Sequence, residues 1–353
     1  MGYIPKNEPD LFAVLFWGTH LLAGKRSYQL GELTTEYLNL DSQIVQELSA
    51  RVDDFAPVFH QIMDEPDKSL AVSVQKKLNA FYDVLLSLPP YRDLPMDYYV
   101  AYNMFPMLAA QPKKWEEAMA TGSERNRQFR KMLEVYETLP ERLDAFRNQI
   151  ALTLELDFEC LPRRNGATYG KAFAEYYQSM RSAGAFFFPD EDEFEQSFDA
   201  AIRFIPIRNP DNSEEIVIGE ETQFQDVVSF LFTDFYRGLI HGNAPRRCHN
   251  CGRYFLLTAG YNTCYCNNIA PGETERTCRK VGAHRKEAQG RANRTPARAE
   301  YDRAYIRLKQ RKLRGKISVD EWNTAVAKAQ GLLEQSEQGK LTDEDLIQKL
   351  KEL

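Results

Sequence analysis

The sequence predicts a mainly α protein with a small β component (α+β), and three observations carry that prediction. Apolar residues recur at three- and four-residue intervals through the first half of the chain. Two short β-like runs flank a turn-rich segment beyond residue 200. Five of the six cysteines fall between Arg246 and His284, which marks a small metal-stabilised module. The organisation expected is an acidic helical region over 1–185, a β-hairpin with a packing helix over 186–245, a zinc-ribbon-like module over 246–286, and basic then amphipathic helices over 287–353.

Taken in order, residues 1–185 read mostly as helices. Thr34–Ala50 and Ser73–Leu88 carry the helical period, the second through Val74, Leu78, Phe81 and Leu85. Leu88-Pro89-Pro90 ends that helix, because proline donates no ladder bond and restricts the residue before it. Another helix covers Glu124–Thr138, and Leu139-Pro140 starts the next, through Leu156. The apolar run Leu11–Leu22 is broken by Gly18, Thr19 and His20 and is too short to span a bilayer. Phe186-Phe187-Phe188-Pro189 leads into the acidic stretch Asp190–Glu195. Ile202–Ile207 and Ile216–Ile218, around the turn-rich Arg208–Ser213, predict a hairpin with a long loop. Thr222–Ile240 is an aromatic-rich helix that stops at His241-Gly242-Asn243 and is expected to pack on the cysteine module. Residues 285–294 read as loop or frayed helix.

Thr295-Pro296 then supplies an N-cap and a first-turn proline. At 100° per residue, Arg303, Arg307, Arg311 and Arg314 fall within about 80° of one another, with Tyr301, Tyr305 and Leu308 nearly opposite. One face of that helix can pack and the other projects guanidinium groups. Gly315 ends it, and Ser318–Glu321 fits a capping box for the next helix. Gly339 stops that one, and Thr342 opens a last short helix.

Composition narrows the class. A 353-residue chain with 12% aromatic residues is long and apolar enough for a packed core. MGYIPKNEPD is not a secretory leader, so a cytoplasmic address is expected, and cysteines there read as metal ligands before disulfides. Between Arg246 and Lys316 stand 18 Lys/Arg against 5 Asp/Glu, a balance of +13 that leaves −19 on the rest of a chain whose net charge is −6. An acidic body with one basic block predicts an anionic partner. Phosphate-cradling and nucleophile-elbow motifs are missing from the sequence.

Cys248-x-x-Cys251-Gly252 has the form of a zinc knuckle, with two thiolates three residues apart and a glycine relieving the turn after them. The second pair comes from Cys264, Cys266 and Cys278, with His249 and His284 as outside candidates. Cys266 and Cys278 are preferred, which gives C-x2-C-x14-C-x11-C; spacing alone leaves Cys264 as a substitute for Cys266. Four thiolates and no carboxylate predict a structural Zn²⁺.

The run C-x-N-C-G-x-Y-F, Tyr265-Cys266-Asn267 and Thr277-Cys278-Arg279 resembles an uncharacterised bacterial family, known as a domain of unknown function with a zinc-ribbon-like cysteine motif. The resemblance runs from about Phe204 to Ala329 and supports Cys266 over Cys264, since the cysteine after tyrosine is the recurring one. The motif is also distantly similar to the zinc module of CGNR-type transcription regulators, which implies DNA.

Three function classes follow. The first is nucleic-acid binding without chemistry, to DNA before RNA and in a regulatory or mobile-element setting. Arg246, Arg247, Arg253, Arg279, Lys280, Arg285 and Lys286 would meet phosphates, and Arg303, Arg307, Arg311 and Arg314 would extend the footprint. Tyr254, Phe255, Tyr261 and Tyr265 are candidates for stacking on bases, or for the small core of the module. The second is a protein-interaction or regulatory module whose basic block meets an acidic protein partner or the chain's own acidic hairpin. The third is a nuclease or recombinase using Tyr301, Tyr305 and His284, in a spacing with no physical rationale.

Overall fold

The computed structural model describes residues 7–175, 200–209, 212, 214–258, 262–292 and 295–353. Phe186–Glu195, Tyr261 and the hairpin-loop residues Pro210, Asp211 and Ser213 lie outside that set. The fold is mainly α with a smaller β component, as the sequence predicts. It forms two compact units, Met1–Cys266 and Asn267–Leu353.

The first unit opens on strands rather than helices. β1 (Phe12–Trp17), β2 (His20–Ala23) and β3 (Arg26–Gln29) form a meander, so the expected 1–185 helical region contains strands ahead of its first helix among the described residues. The Gly18-Thr19 break in the apolar run is a two-residue hairpin turn, with Trp17 paired to His20. Gly24, in the next turn, has φ +58°, and a Cβ there would lie 2.1 Å from the Asp93 carbonyl oxygen, so only glycine fits.

Helices α1 (Glu32–Leu38) and α2 (Ser42–Asp64) replace the single helix expected over Thr34–Ala50. Asp41 caps α2 by accepting from the Gln43 N–H, and that cap divides the two. α3 (Ala71–Leu85), α4 (Tyr98–Ala101), α5 (Met104–Ala109) and α6 (Pro112–Met119) follow. α7 (Glu124–Thr153) runs unbroken through Pro140, where a new start was expected. Leu133, Tyr136, Leu139, Leu143 and Phe146 are buried on both sides of the proline, and that burial outweighs one lost ladder bond. A π-helical turn, Leu154–Phe158, and helix α8 (166–175) complete this part.

The predicted hairpin is present and longer than expected. β4 (Ala200–Arg208) pairs with β5 (Ile216–Phe224), and β5 pairs with β1, giving an antiparallel sheet of order β3-β2-β1-β5-β4. That sheet therefore joins the expected 1–185 and 186–245 regions. α9 (Val227–Ile240) starts five residues later than predicted, because Thr222–Phe224 belong to β5 and Asp226 is the cap.

The core of this unit is aromatic. Phe81 lies 5.0 Å from Tyr136 and 5.2 Å from Phe55, ring to ring, while Phe59 meets Phe105 edge-on at 5.1 Å. From α9, Phe232 packs edge-on against Phe146 at 4.8 Å. The buried Asp234 accepts from the Gly31 and Thr34 N–H groups at 2.8 and 2.9 Å, capping α1 from 203 residues away. Burial pushes its carboxyl up to about 6 against those donors.

In the second unit, α10 (Cys278–Ala292) covers residues expected to be loop or frayed. α11 (Pro296–Leu313) starts on the predicted Thr295 cap, α12 (Val319–Glu337) on the predicted Ser318–Glu321 capping box, and α13 (Asp343–Lys351) on Thr342. Their core is small: Ala297, Ala304, Ala329, Leu332, Leu333, Leu346 and Leu350. Among the described residues no helix is long and apolar enough to cross a membrane.

Candidate metal centre

Two short strands build the first half of the cysteine site. β6 (Ala244–Arg247) pairs with β7 (Tyr254–Leu257), and the turn between them carries Cys248 and Cys251. The Cys248 N–H donates to the Arg253 carbonyl at 2.8 Å and the Gly252 N–H to the Cys248 carbonyl at 2.9 Å. Gly252 has φ +75°, the left-handed conformation this turn needs immediately after its second cysteine. The hairpin is tied to the helical body by Asn39, whose side chain accepts from the Tyr254 N–H and donates to the Tyr254 carbonyl.

Cys266 closes on this turn. Its N–H points at the Cys248 sulfur at 3.4 Å, and its own sulfur lies 3.7 Å from that of Cys251. Further along, the Cys278 N–H donates to the Asn268 carbonyl at 2.8 Å and the Ala270 N–H to the Arg276 carbonyl at 2.9 Å, forming a second tight loop. The sulfur atoms of Cys248, Cys251, Cys266 and Cys278 all lie within 4.8 Å of one another. Four sulfurs set tetrahedrally around one ion, with bonds of about 2.3 Å, would be about 3.8 Å apart. The spacing fits, and the four cysteines can hold one metal ion.

Electrostatics agree with that use. Burial pushes the Cys248 thiol up, but the backbone N–H groups of Cys266, Cys251 and Asn250 more than offset it and bring the thiol down to about 7. A sulfur already surrounded by N–H donors is poised to ligate as thiolate. The spacing ambiguity is resolved as well. Cys264 stays out of the cluster, and its carbonyl accepts from the His249 N–H at 2.9 Å. The outside candidates are elsewhere too: His249 Nε2 lies 2.9 Å from Glu159 Oε1, and His284 is exposed on α10.

The basic residues divide into two groups. Arg247, Arg253, Arg279, Lys280, Arg285 and Lys286 are exposed. Arg246 is not: its guanidinium is buried and bonded to Asn262, the Thr263 carbonyl and Glu159, which corrects its expected place on a phosphate-facing surface. On α11 the expected division of faces is present, with Ala304 and Leu308 buried and all four arginines exposed. Two of those arginines also serve the fold. Arg307 donates to the Leu350 carbonyl at 2.8 Å and Arg311 to that of Leu353 at 2.6 Å. Arg303 pairs with Glu300, while Arg314 is the exposed C-cap. Tyr301 and Tyr305 stack on each other, and Tyr305 meets Trp322 edge-on, which gives both rings a packing role. Tyr254, Phe255 and Tyr265 are half-buried around the hairpin.

Sequence reasoning missed Glu159, Arg164 and Tyr169, which lie beside Arg246. No local pattern marks them, since they come together only when the end of the helical body meets β6.

Residues 195–352 match the family described as "Family of unknown function (DUF6076)". The C-terminal part of the chain is thus similar to an uncharacterised domain family. No curated protein and no solved structure gives a significant match.

Proposed function

We propose that Cys248, Cys251, Cys266 and Cys278 hold one structural Zn²⁺ and that the cations presented by this module bind nucleic acid, DNA before RNA, without acting on it chemically. For zinc, the support is the donor set. Four thiolates with no carboxylate suit a borderline-soft ion, and four protein ligands leave no open position for an activated water. For nucleic acid, the observation that carries the reading is where α10 begins. Its first residue is Cys278, one of the four clustered cysteines, and Arg279, Lys280, Arg285 and Lys286 are all exposed within its first three turns. Arg279 and Lys286, seven residues apart, share a face of an ideal helix, with Lys280 and Arg285 about 100–120° to either side. A ligand at the first residue of a helix keeps the charges of its first turns close to the metal. Arg253, on the knuckle, adds a further exposed cation.

The contact set proposed is therefore smaller than the basic block. It omits Arg246 and rests on the knuckle and α10 before the arginines of α11. The test is a salt titration of binding to duplex DNA and to RNA, with metal content measured in parallel. One zinc per chain is expected, with log K falling linearly in log salt. Arg279→Ala with Lys286→Ala should lower the salt slope by about one per lost phosphate contact and leave zinc content unchanged. A chelator should abolish binding, because the energy of such a site is largely folding energy. Zinc-loaded protein that binds neither nucleic acid, or binds with no salt dependence, would sink the reading.

A further inference from the structure

The sheet of the first unit carries its covered face out past the helix that covers it. Phe12, Val14 and Phe16 of β1 stand opposite Phe224, Thr222 and Glu220 of β5. Those three in turn stand opposite Ala200, Ile202 and Phe204 of β4, so all these side chains share one face. At its root the face is core: Phe12 and Phe224 both pack on Phe230 of α9, and Arg237 of the same helix lies over the Phe16 ring. Toward the tip it continues through Pro206 opposite Ile218 and Arg208 opposite Ile216. There the cover ends, and Ile202, Phe204, Ile216 and Ile218 are 53%, 70%, 64% and 76% exposed.

The strands at this place also lack a neighbour. β1 pairs with β5 only as far as Phe16↔Glu220, so the pairs from Ile205↔Gly219 to Arg208↔Ile216 form an arm with no third strand among the described residues. Two strands alone are marginal in water and need a packed face. The back of the arm has one within the chain. Ile205, Ile207 and Val217 are half-buried there, and Ile207 and Leu15 close over Gly219. The front has only the exposed isoleucines and phenylalanine. Glu220 beside them is neutralised by Arg237, and Glu221 on the back by Arg203. The front therefore offers a partner apolar area rather than charge.

The area can be weighed against what a dimer needs. The four exposed residues present on the order of 500 Å² of contiguous apolar surface, the size at which such patches mark contact surfaces. A standard interface takes about 800 Å² from each partner, and homodimer interfaces are about 65% apolar. One copy of this face supplies that apolar share, and the polar rest can come from its rim, where Arg208 lies.

We propose that the β4–β5 arm is a homodimer interface, in which the faces bearing Ile202, Phe204, Ile216 and Ile218 of two copies pack on each other about a two-fold axis. A second copy fits because two-fold packing lays an uncharged apolar row on its own image, leaving no charge at the centre to be matched. The contact closes on itself, so assembly stops at two. It rests on neither the zinc nor the nucleic-acid reading, since no residue of the arm belongs to either set.

The experiment follows sedimentation of the full-length, metal-loaded protein over a concentration series. A monomer–dimer equilibrium is expected. Phe204→Thr with Ile218→Thr, which keeps both positions suited to a strand, should raise the dimer Kd about thirtyfold or more, the scale of one lost hot spot. Circular dichroism and metal content of that variant should match the wild type, and Phe204→Thr alone gives a second, smaller reading. Val72→Thr, at a similarly exposed apolar residue of α3, should leave the Kd unchanged. Amide exchange in the arm should slow as concentration rises. A monomer at every concentration would overturn the assignment, and arm amides protected in that monomer would place the cover within the same chain. A dimer indifferent to the paired change, or equally weakened by Val72→Thr, would overturn it too, and open-ended assembly would overturn the two-fold closure.

Discussion

Met1–Cys266 and Asn267–Leu353 reach a folded state by different means. The first unit buries a continuous aromatic cluster from α2, α3, α5, α7 and α9 and adds a sheet whose central strand is almost wholly covered. The second has a core of three alanines and four leucines from three helices, α11, α12 and α13. What it lacks in apolar burial it supplies at helix ends, with the Thr295, Ser318 and Thr342 caps and two arginines on the carbonyls at the end of α13. Small cores need such additions, because their surface is large for their volume. Stability in the first unit should therefore respond mainly to side-chain volume, and in the second to individual polar contacts.

The largest expected effect tests the first half of that contrast. Phe81→Ala removes a ring packed against Phe55, Tyr82 and Tyr136 and should cost about 3–5 kcal/mol in denaturant unfolding. Metal content of the folded protein should not change. A cost below about 1 kcal/mol would mean that the cluster does not carry the unit.

An intermediate effect comes from charge inside the same unit. Burial, with a smaller push from Glu8, raises the Asp10 carboxyl from 3.8 to about 6, against its own backbone N–H and Arg125. The folded protein then holds this proton more tightly than the unfolded chain. Its contribution to stability is complete below about pH 4 and is lost as pH rises through about 6. Asp10→Asn should flatten that part of the stability profile and gain about 1–3 kcal/mol at pH 7, an estimate reduced for the partial exposure of the side chain. An unchanged slope between pH 4 and 6 would remove Asp10 from the account.

The smallest effect addresses the second unit. Arg307→Ala takes a charged donor from the Leu350 carbonyl and should cost about 1 kcal/mol. Amide exchange in α13 should speed up several-fold while the salt slope of the proposed nucleic-acid binding stays the same. A fall in that slope with no change in α13 exchange would return Arg307 to the proposed contact set and weaken the contrast between the units.

Much of the site was legible because its signals are local. Cys248-x-x-Cys251-Gly252 fixes a turn through bonds only a few residues long, and the caps at Thr295, Ser318 and Thr342 act within one helical turn. The choice of Cys266 over Cys264 was open to spacing, since both are near enough in the chain; the position of the Cys266 sulfur within the four-sulfur cluster decides it. β1 escaped notice because a covered strand reads as a plain apolar run rather than as an alternation, and β2 and β3 because four residues each are too few to show a period. Pro140 looked like a boundary because its local cost is visible in sequence, whereas the burial that offsets it is not.

By itself, the sequence determined the Cys248–Gly252 turn, the starts of α11, α12 and α13, the hairpin of β4 and β5, and the segregation of basic from acidic charge. Each of these depends on neighbours along the chain or on composition. Only the tertiary structure decided which arginines face solvent. Arg246 and Arg253 are close in sequence and alike in chemistry, yet one is buried on Glu159 and the other is exposed. The reason is distance along the chain. Glu159, Arg164 and Tyr169 lie at least 77 positions before Arg246, and a buried charge is placed by the partners that folding brings to it.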